Sequence, residues 1–419
     1  MHDMKGIYKK FTASKNPAYQ GVLLASGRGV ALIGSLVIFL AIGNLLSPEA
    51  AGQYYYLTAW AAILSFATLP GVSHGIVRAI ARGSDPHAAA RTAATIRLSY
   101  GLYGSLGMAI AGVVFLFLHS SALAALFLLS AIILPFGDTI SECVFARYRG
   151  EHAFTRQNRA IVLYQFLLAL LTCLVLFVFQ KNSLLSVAIL LALPASMGGM
   201  FYLIYMRKSA RAAEESLPAE TTAELKKYGT SLSVYQMILG LGTYADRIIL
   251  WFVAGPVAVA TYSIATLPVI KLDQVLPFEH LTIIKLAKRD ITRTEYGRLA
   301  KIFLLSLGGL SVFAFAATAC APYILPILFR KYGVLPFFNI VIWAVPFIPL
   351  ALFRAALMAR SDHGALRILS IASVLLKIAL MTGLGIAYGA AGVAVGFVAG
   401  MGAEALIGLF LVRSVSARE

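Results

Sequence analysis

The stretch that decides the fold class is residues 160–179, which reads AIVLYQFLLALLTCLVLFVF. It contains no charged side chain. An α-helix needs about 20 predominantly apolar residues to cross the hydrocarbon core of a bilayer, so this stretch is long enough to be a transmembrane helix. Four further apolar stretches have a similar length: 30–46, 98–118, 299–321 and 390–412. The sequence therefore predicts an all-α polytopic membrane protein.

The composition of the whole chain agrees with this fold class. Of its 419 residues, 60% are hydrophobic and 13% are charged, and the mean hydropathy is +0.83. Soluble domains are about half apolar and about a quarter charged, so a soluble globule could not bury this much apolar surface. The net charge of +17 suggests a nucleic-acid partner at first sight, but the distribution of basic residues argues against one.

The polar and Pro/Gly-rich points of the chain separate twelve predicted spans. These are 21–46, 53–77, 97–118, 122–146, 160–180, 184–206, 229–253, 257–283, 299–320, 336–359, 366–387 and 391–411. Of the 35 basic residues, 28 lie in or beside the N-terminal segment, alternate loops and the C-terminal tail. The other loops hold Lys181, Arg330 and Lys331. By the positive-inside rule, both termini are expected in the cytoplasm after an even number of crossings.

The predicted spans divide into two six-helix lobes. Residues 1–206 form the N-lobe, 207–228 a charged cytoplasmic linker, and 229–419 the C-lobe. The connection 48–54 reads PEAAGQY and the connection 256–262 reads PVAVATY, so both keep Pro-x5-Tyr at equivalent positions of the lobes. The match indicates an internal duplication, with chance similarity of small-residue turns as the alternative. Duplicated lobes are typical of secondary transporters, which bind substrate near the membrane midplane.

Three segments carry a resemblance to a known family. Residues 45–54 read LLSPEAAGQY, 69–78 read LPGVSHGIVR and 244–250 read YADRIIL. They resemble motifs of the polysaccharide-transporter branch, and especially the O-antigen (Wzx-type) flippases, of the MATE-like multidrug/oligosaccharidyl-lipid/polysaccharide (MOP) flippase superfamily. The chain departs from the pattern at Ala260, where a Gly is often found.

The resemblance implies a MATE-like fold and a flippase that carries a polyprenyl-diphosphate-linked oligosaccharide from the cytoplasmic to the outer leaflet of the bacterial inner membrane. Membrane lipids and the polymerase and glycosyltransferases of the same pathway are the expected partners, and nucleic acid is not. No cofactor and no catalytic residues are expected, and an H+ or Na+ gradient is the candidate driving force. An ion-coupled multidrug/cation antiporter and a membrane-embedded glycan polymerase are the alternatives.

Four cations within or beside the spans are candidates for a diphosphate site in a central cavity: Arg28, Arg247, Lys271 and Arg354. A charge at the bilayer centre costs about 3 kcal/mol on insertion scales, so each needs a partner, water or a function. The planar guanidinium suits phosphate oxygens. For all but Arg247 the alternative is snorkelling to the cytoplasmic interface. Asp246 points about 100° away from Arg247 on a helix and is not expected to pair with it.

Asp138, Glu142 and Asp246 are the candidates for coupling to an ion. Asp138 and Glu142 are one turn apart on one helix face, where one carboxylate raises the pKa of the other and so favours proton exchange. The alternative is a solvated pair at the inner vestibule, or a pair with Arg147.

The remaining intramembrane charges, Lys377 and Glu404, lie at matching depths of consecutive antiparallel spans. They predict a buried structural ion pair. Cys143, Cys173 and Cys320 all fall in apolar segments, which indicates small packed side chains and neither disulfides nor a metal site.

Overall fold

The computed structural model describes residues 17–118, 120–151, 153–179, 182–207, 217–275, 293–359 and 363–416. These residues form helices joined by short turns, and none of them lies in a β-strand. The α-helices are α1 Pro17–Leu45, α2 Pro48–Ser65, α3 Val72–Ala81, α4 Pro86–Phe117, α5 Ser121–Ile133, α6 Asp138–Gly150, α7 Phe154–Val178, α8 Ser183–Arg207, α9 Ala219–Val275, α10 Arg293–Leu328, α11 Leu335–Val341, α12 Ala351–Ala359 and α13 His363–Ser416. Short 3-10 helices lie at Phe66–Thr68, Leu134–Phe136 and Ile342–Leu350.

The start of α4 shows how local sequence sets a helix boundary. The Asp85 side chain caps the helix by accepting a hydrogen bond from the backbone N–H of Ala88 at 2.6 Å. Pro86 follows at the first helical position, where its missing N–H costs no helical hydrogen bond. The alanine-rich segment that comes next favours the helix further. As a result α4 begins eleven residues before the predicted span 97–118.

Two of the helices are each two consecutive helices joined at a glycine. In α9 the break is at Gly255, whose φ of 78° lies in the left-handed region that glycine adopts without strain. In α13 the break is at Gly389, with φ 61°. Pro256 directly follows the first break and starts the second helical part, just as Pro48 starts α2.

Long apolar helices confirm the predicted fold class. Among the described residues, eight helices are long and apolar enough to cross a membrane. A ninth span follows if α2 and α3, which are bent by 41° at the break between them, form one. Two of the eight, Ala219–Leu272 and Gly364–Ser414, have 54 and 51 residues, more than twice the length that a single crossing needs. The total of twelve spans stays a prediction.

The order of elements recurs along the chain. The long α4 is followed by the series α5, 3-10 helix and α6, and the long α10 is followed by the series α11, 3-10 helix and α12. Each series then leads into two consecutive helices: α7 and α8 in the first case, and the two parts of α13 in the second. This order supports the predicted duplication.

The chain forms two compact units. The first comprises Met1–Ala41 and Leu64–Val234, and the second Ile42–Ile63 and Tyr235–Glu419. The predicted lobes 1–206 and 229–419 differ from these units at two segments, 42–63 and 207–234, and the division into lobes stays a prediction.

The first unit has a core of small side chains. Val72 and Ile76 of α3 pack with Ala89 and Ala93 of α4 and with Cys143 of α6. A second cluster joins α6, α7 and α8, and its larger members are Phe145, Tyr148, Tyr164, Met197 and Phe201. Small residues let membrane helices approach closely, and van der Waals packing then holds them together.

The outer faces of several helices expose large apolar side chains. Examples are Phe117 on α4, Phe177 on α7 and Phe315 on α10, each at least 69% exposed. In water such a surface would cause aggregation, but in a membrane it faces lipid chains. The exposed apolar surface is therefore a further sign of a multi-pass membrane protein.

Candidate functional site

A cavity of about 130 Å³ lies inside the second unit, between α9, the 3-10 helix Ile342–Leu350, α12 and α13. Four of the sequence-predicted charged residues line it: Asp246 of α9, Arg354 of α12, and Lys377 and Glu404 of α13. Drug-sized ligands occupy pockets of about 300–1,000 Å³, so this cavity fits water or one small charged group. The fold brings together charges that are up to 158 positions apart in the sequence, from 246 to 404.

Glu404 and Arg354 form the ion pair of this cavity. The Nε atom of Arg354 lies 4.0 Å from Oε1 of Glu404, and both side chains are largely shielded from solvent. A charge inside a membrane protein is retained when a partner or water compensates the loss of hydration. Each of these two side chains supplies such a partner to the other.

Lys377 is buried in the same cavity. Its Nζ atom lies 4.2 Å from the centre of the Phe397 ring and 3.9 Å from the sulfur of Met401. The face of an aromatic ring attracts a cation, which offsets part of the cost of burying it. Lys377 and Glu404 share the cavity, and their direct ion pair stays a prediction.

Arg247 lies next to the cavity, on α9, and is 7% exposed. Its Nε donates a hydrogen bond to the Ser263 hydroxyl at 3.2 Å, and its Nη1 lies 3.4 Å from Oδ1 of Asp246. The same Oδ1 accepts the backbone N–H of Arg247 at 2.7 Å. The expectation that Asp246 would not pair with Arg247 was therefore wrong. The 100° step between neighbours separates their Cβ directions, but a long guanidinium can fold back to the carboxylate.

Among the described residues, the cavity lining has two basic side chains, Arg354 and Lys377, and two carboxylates, Asp246 and Glu404. Arg247, which lies beside the cavity, adds a third basic side chain to this region. A surplus positive charge inside a low-dielectric region attracts an anionic group. The arrangement is thus better suited to an anion than to an organic cation.

The other predicted site residues lie elsewhere. Lys271 is half-buried on α9 and is not among the residues that line the cavity. Arg28 belongs to α1 and Asp138 to α6, and the side chains of both lie outside the described residues. Glu142 of α6 forms an ion pair with Arg149, two turns further along the same helix.

Arg147 was the alternative partner that the sequence analysis gave for Asp138 and Glu142. In the structure it pairs with a different carboxylate. Its Nε lies 2.7 Å from Oε1 of Glu151, one turn further along the chain. This pair is much less exposed than that of Glu142 with Arg149. The coupling roles of Asp138, Glu142 and Asp246 stay predictions.

A buried cation in the first unit was not among the candidates predicted from the sequence. Arg97 of α4 is 4% exposed, and its Nη1 donates a hydrogen bond to the Ser73 hydroxyl of α3 at 2.7 Å. It is the first residue of the predicted span 97–118, and its charge was counted with those beside the preceding loop. Asp85 and Pro86 are a typical signal for the start of a helix, and this start places Arg97 three turns inside the helix. The signal could therefore have identified Arg97 as an intrahelical cation.

A family model agrees with the motifs of the chain. The model for polysaccharide biosynthesis proteins matches residues 20–276, more than half of the chain. Among curated proteins, none matches.

Solved structures with a similar fold include MATE family transporters of the MOP superfamily and a lipid II flippase. The inward-facing conformation of a multidrug resistance MATE family transporter has a TM-score of 0.69 and 14% identity, over 95% of this chain and 98% of that chain. The outward-facing conformation of such a transporter has a TM-score of 0.60 and 16% identity, over 95% and 94%. The lipid II flippase MurJ in an inward closed conformation has a TM-score of 0.67 and 13% identity, over 94% and 87%. At these identities the likeness shows the fold.

Proposed function

Because the chain belongs to the polysaccharide biosynthesis protein family, we propose that it is a flippase for a polyprenyl-diphosphate-linked oligosaccharide. The substrate is an O-antigen unit or a related surface polysaccharide unit, which moves from the cytoplasmic to the outer leaflet. The single observation that carries the proposal is the family match over residues 20–276. The fold shared with the lipid II flippase MurJ supports it, since that protein handles a lipid-linked substrate.

The third basic side chain of this region, Arg247, supplies a chemical reason for an anionic substrate. Arg247 and Arg354 offer guanidinium groups, which bind phosphate oxygens through paired N–H donors. The small cavity is suited to a charged group of the substrate and not to its glycan or lipid chain. Arg28 and Lys271 are proposed as two further cations that bind the diphosphate of the substrate.

The setting of the proposed activity follows from the same resemblance. The protein acts in the bacterial inner membrane with both termini in the cytoplasm, and two lobes alternate access to the substrate. Exchange of H+ or Na+ at Asp138, Glu142 or Asp246 drives the cycle. The polymerase and glycosyltransferases of the pathway supply and consume the lipid-linked unit.

An ion-coupled multidrug or cation antiporter is the second candidate. It is favoured by the fold shared with MATE transporters and by the buried carboxylates Asp246 and Glu404. A membrane-embedded glycan polymerase is disfavoured because the family and the similar structures are those of transporters.

Deletion of the gene in its native host tests the proposal against this second candidate. We expect loss of surface polysaccharide and retention of the lipid-linked precursor on the cytoplasmic face, with unchanged sensitivity to cationic drugs. Increased drug sensitivity with normal surface polysaccharide would instead identify an antiporter. Re-expression of the wild-type chain controls for effects on neighbouring genes.

A further inference from the structure

A second cluster of charges lies in the first unit, where the end of α3 meets the beginning of α9. Arg78 and Arg82 are one turn apart on α3 and so share a face. Their guanidinium groups approach the same oxygen, Oε1 of Glu224, at 3.3 Å for Nη2 of Arg78 and 2.5 Å for Nη1 of Arg82. The Arg78 guanidinium also stacks over the Tyr228 ring, 5.0 Å from its centre. Two cations therefore converge on one carboxylate oxygen.

The position of Glu224 is fixed by close helix packing. A Cβ atom at Gly71, just before α3, would lie 2.5 Å from the backbone oxygen of Gly229 in α9. The backbone N–H of Gly71 also donates a hydrogen bond to the Ser233 hydroxyl at 2.9 Å. Because the two segments touch along their backbones, the first turns of α9 hold Glu224 opposite the arginines.

A cavity of about 130 Å³ adjoins the cluster. Besides the three charged residues, it is lined by Gly75, Ala79, Ser84, Thr221, Leu225 and the Tyr228 ring. The side chains of Arg78, Arg82 and Glu224 are each about half exposed, so a solute can reach them. The site is thus open, and it already holds an anionic oxygen between two guanidinium groups.

The donors of the two arginines exceed what the carboxylate uses. Each guanidinium has five N–H donors, whereas Glu224 engages one terminal nitrogen of each. A phosphate group presents more acceptor oxygens than a carboxylate and matches two guanidinium forks better. The charge of the cluster is two positive against one negative, which leaves one positive charge for a ligand.

We propose that Arg78 and Arg82 form a docking site for a phosphate group, and that Glu224 occupies this site as an internal competitor when no ligand is present. The phosphate chemistry is shared by the diphosphate of a lipid-linked substrate and by the headgroup of an anionic phospholipid. The phosphate site is inferred from the geometry alone. The further statement that its ligand is the substrate's diphosphate rests on the proposed function. Displacement of Glu224 by the ligand breaks the contact between α3 and α9 at this point.

The test is binding of inorganic pyrophosphate to the purified full chain in nanodiscs of zwitterionic lipid, measured by calorimetry. Glu224→Gln removes the competing carboxylate, whose exposed ion pairs are individually weak, and should therefore lower the Kd about three- to tenfold. Arg78→Gln and Arg82→Gln should each raise it at least tenfold, and Arg78→Lys by less, because the charge stays while the fork is lost. Arg367→Gln, at an exposed arginine of α13, is the matched control and should bind as the wild type does.

Equal pyrophosphate affinity in the wild type, Glu224→Gln and both Arg→Gln variants would overturn the proposal. Elution of each variant at the wild-type volume in size-exclusion chromatography excludes misfolding as the cause of a loss of pyrophosphate binding. Nanodiscs that contain phosphatidylglycerol separate the two sources. If pyrophosphate binds more weakly in these nanodiscs than in zwitterionic ones, the site binds a lipid headgroup. If its affinity is the same in both, the site is assigned to the substrate's diphosphate.

The outcome is distinguishable from failure of the proposed function. If pyrophosphate binds as expected while deletion of the gene leaves surface polysaccharide normal, the docking site stands and the flippase function falls. If deletion abolishes surface polysaccharide while all variants bind pyrophosphate alike, the function stands and the docking site falls.

Discussion

Gly52 lies directly against Pro256: a Cβ atom at Gly52 would be 1.9 Å from the backbone oxygen of Pro256. Both residues belong to the second unit, and each lies in one copy of the repeated Pro-x5-Tyr turn. The two copies of the motif therefore contact each other, and this contact requires a residue without a side chain at position 52. The neighbouring Tyr56 stacks on Trp251, with ring centres 4.2 Å apart, and extends the same contact.

We expect Gly52→Ala to lower the stability of the purified protein. The added methyl group meets backbone, which cannot move aside as a flexible side chain could, so overpacking of about 1–3 kcal/mol is expected. The measurement is the midpoint of thermal unfolding in detergent. Gly308→Ala in α10 is the control, because a Cβ there has no neighbour within 4 Å. Equal midpoints for the two variants would show that the contact with Pro256 does not form.

Arg247→Ala should abolish surface polysaccharide, and Arg247→Lys should restore it only in part. Lysine keeps the charge but not the planar group that reaches both Asp246 and Ser263. Surface polysaccharide is measured at matched protein levels, with Arg367→Ala as the control.

Loss of Arg247 also leaves Asp246 buried without this partner, which can cost about 3–5 kcal/mol. The double variant Asp246→Asn/Arg247→Met removes both charges and separates folding from transport. Restored protein levels with absent polysaccharide would support a role in transport. Full polysaccharide in the double variant would make the pair purely structural.

Glu404 should couple energetically to Arg354 more strongly than to Lys377. The carboxylate lies 4.0 Å from Arg354, whereas the Lys377 ammonium contacts Phe397 and Met401. Double-mutant cycles with Glu404→Gln, Arg354→Gln and Lys377→Met, followed by unfolding in mixed micelles, measure both couplings. We expect about 1 kcal/mol for Arg354 and less for Lys377. A larger coupling to Lys377 would favour the ion pair predicted from the sequence.

Single cysteines at Ser121 and Glu220 should react from opposite sides of the membrane. Ser121 is the first residue of the apolar helix α5 and follows a loop poor in basic residues. Glu220 stands at the start of α9, beside the charged linker. An impermeant thiol reagent applied to spheroplasts of a strain with an otherwise cysteine-free chain should label position 121 alone. Labelling of both positions would contradict the predicted orientation.

Hydropathy and short motifs were sufficient for the fold class and the family. A stretch such as 160–179 is long and apolar enough to span a bilayer, so a transmembrane helix follows from its composition. The three segments that carry the resemblance, among them 45–54, all lie within the residues 20–276 that the family model matches.

Charge pairing was much harder to predict from the sequence. Arg97 was placed at the first position of a span and counted with the basic residues beside the preceding loop, although it is buried and bound to Ser73. Glu142 is paired with Arg149, since two helical turns bring positions seven residues apart to one face. Partners of this kind depend on rotamers and on packing between distant helices, as for Arg354 and Glu404, and sequence spacing does not determine either.

Translocation by the purified protein tests the central proposal most directly. The chain is reconstituted in proteoliposomes with a fluorescent polyprenyl-diphosphate-linked oligosaccharide, and the fraction accessible to an external quencher is followed with time. We predict that wild-type protein makes labelled lipid of the inner leaflet accessible, that Arg247→Ala does not, and that Arg367→Ala behaves as the wild type does. Accessibility equal to that of protein-free liposomes, under conditions where the same proteoliposomes exchange a cationic drug for H+ or Na+, would contradict the account.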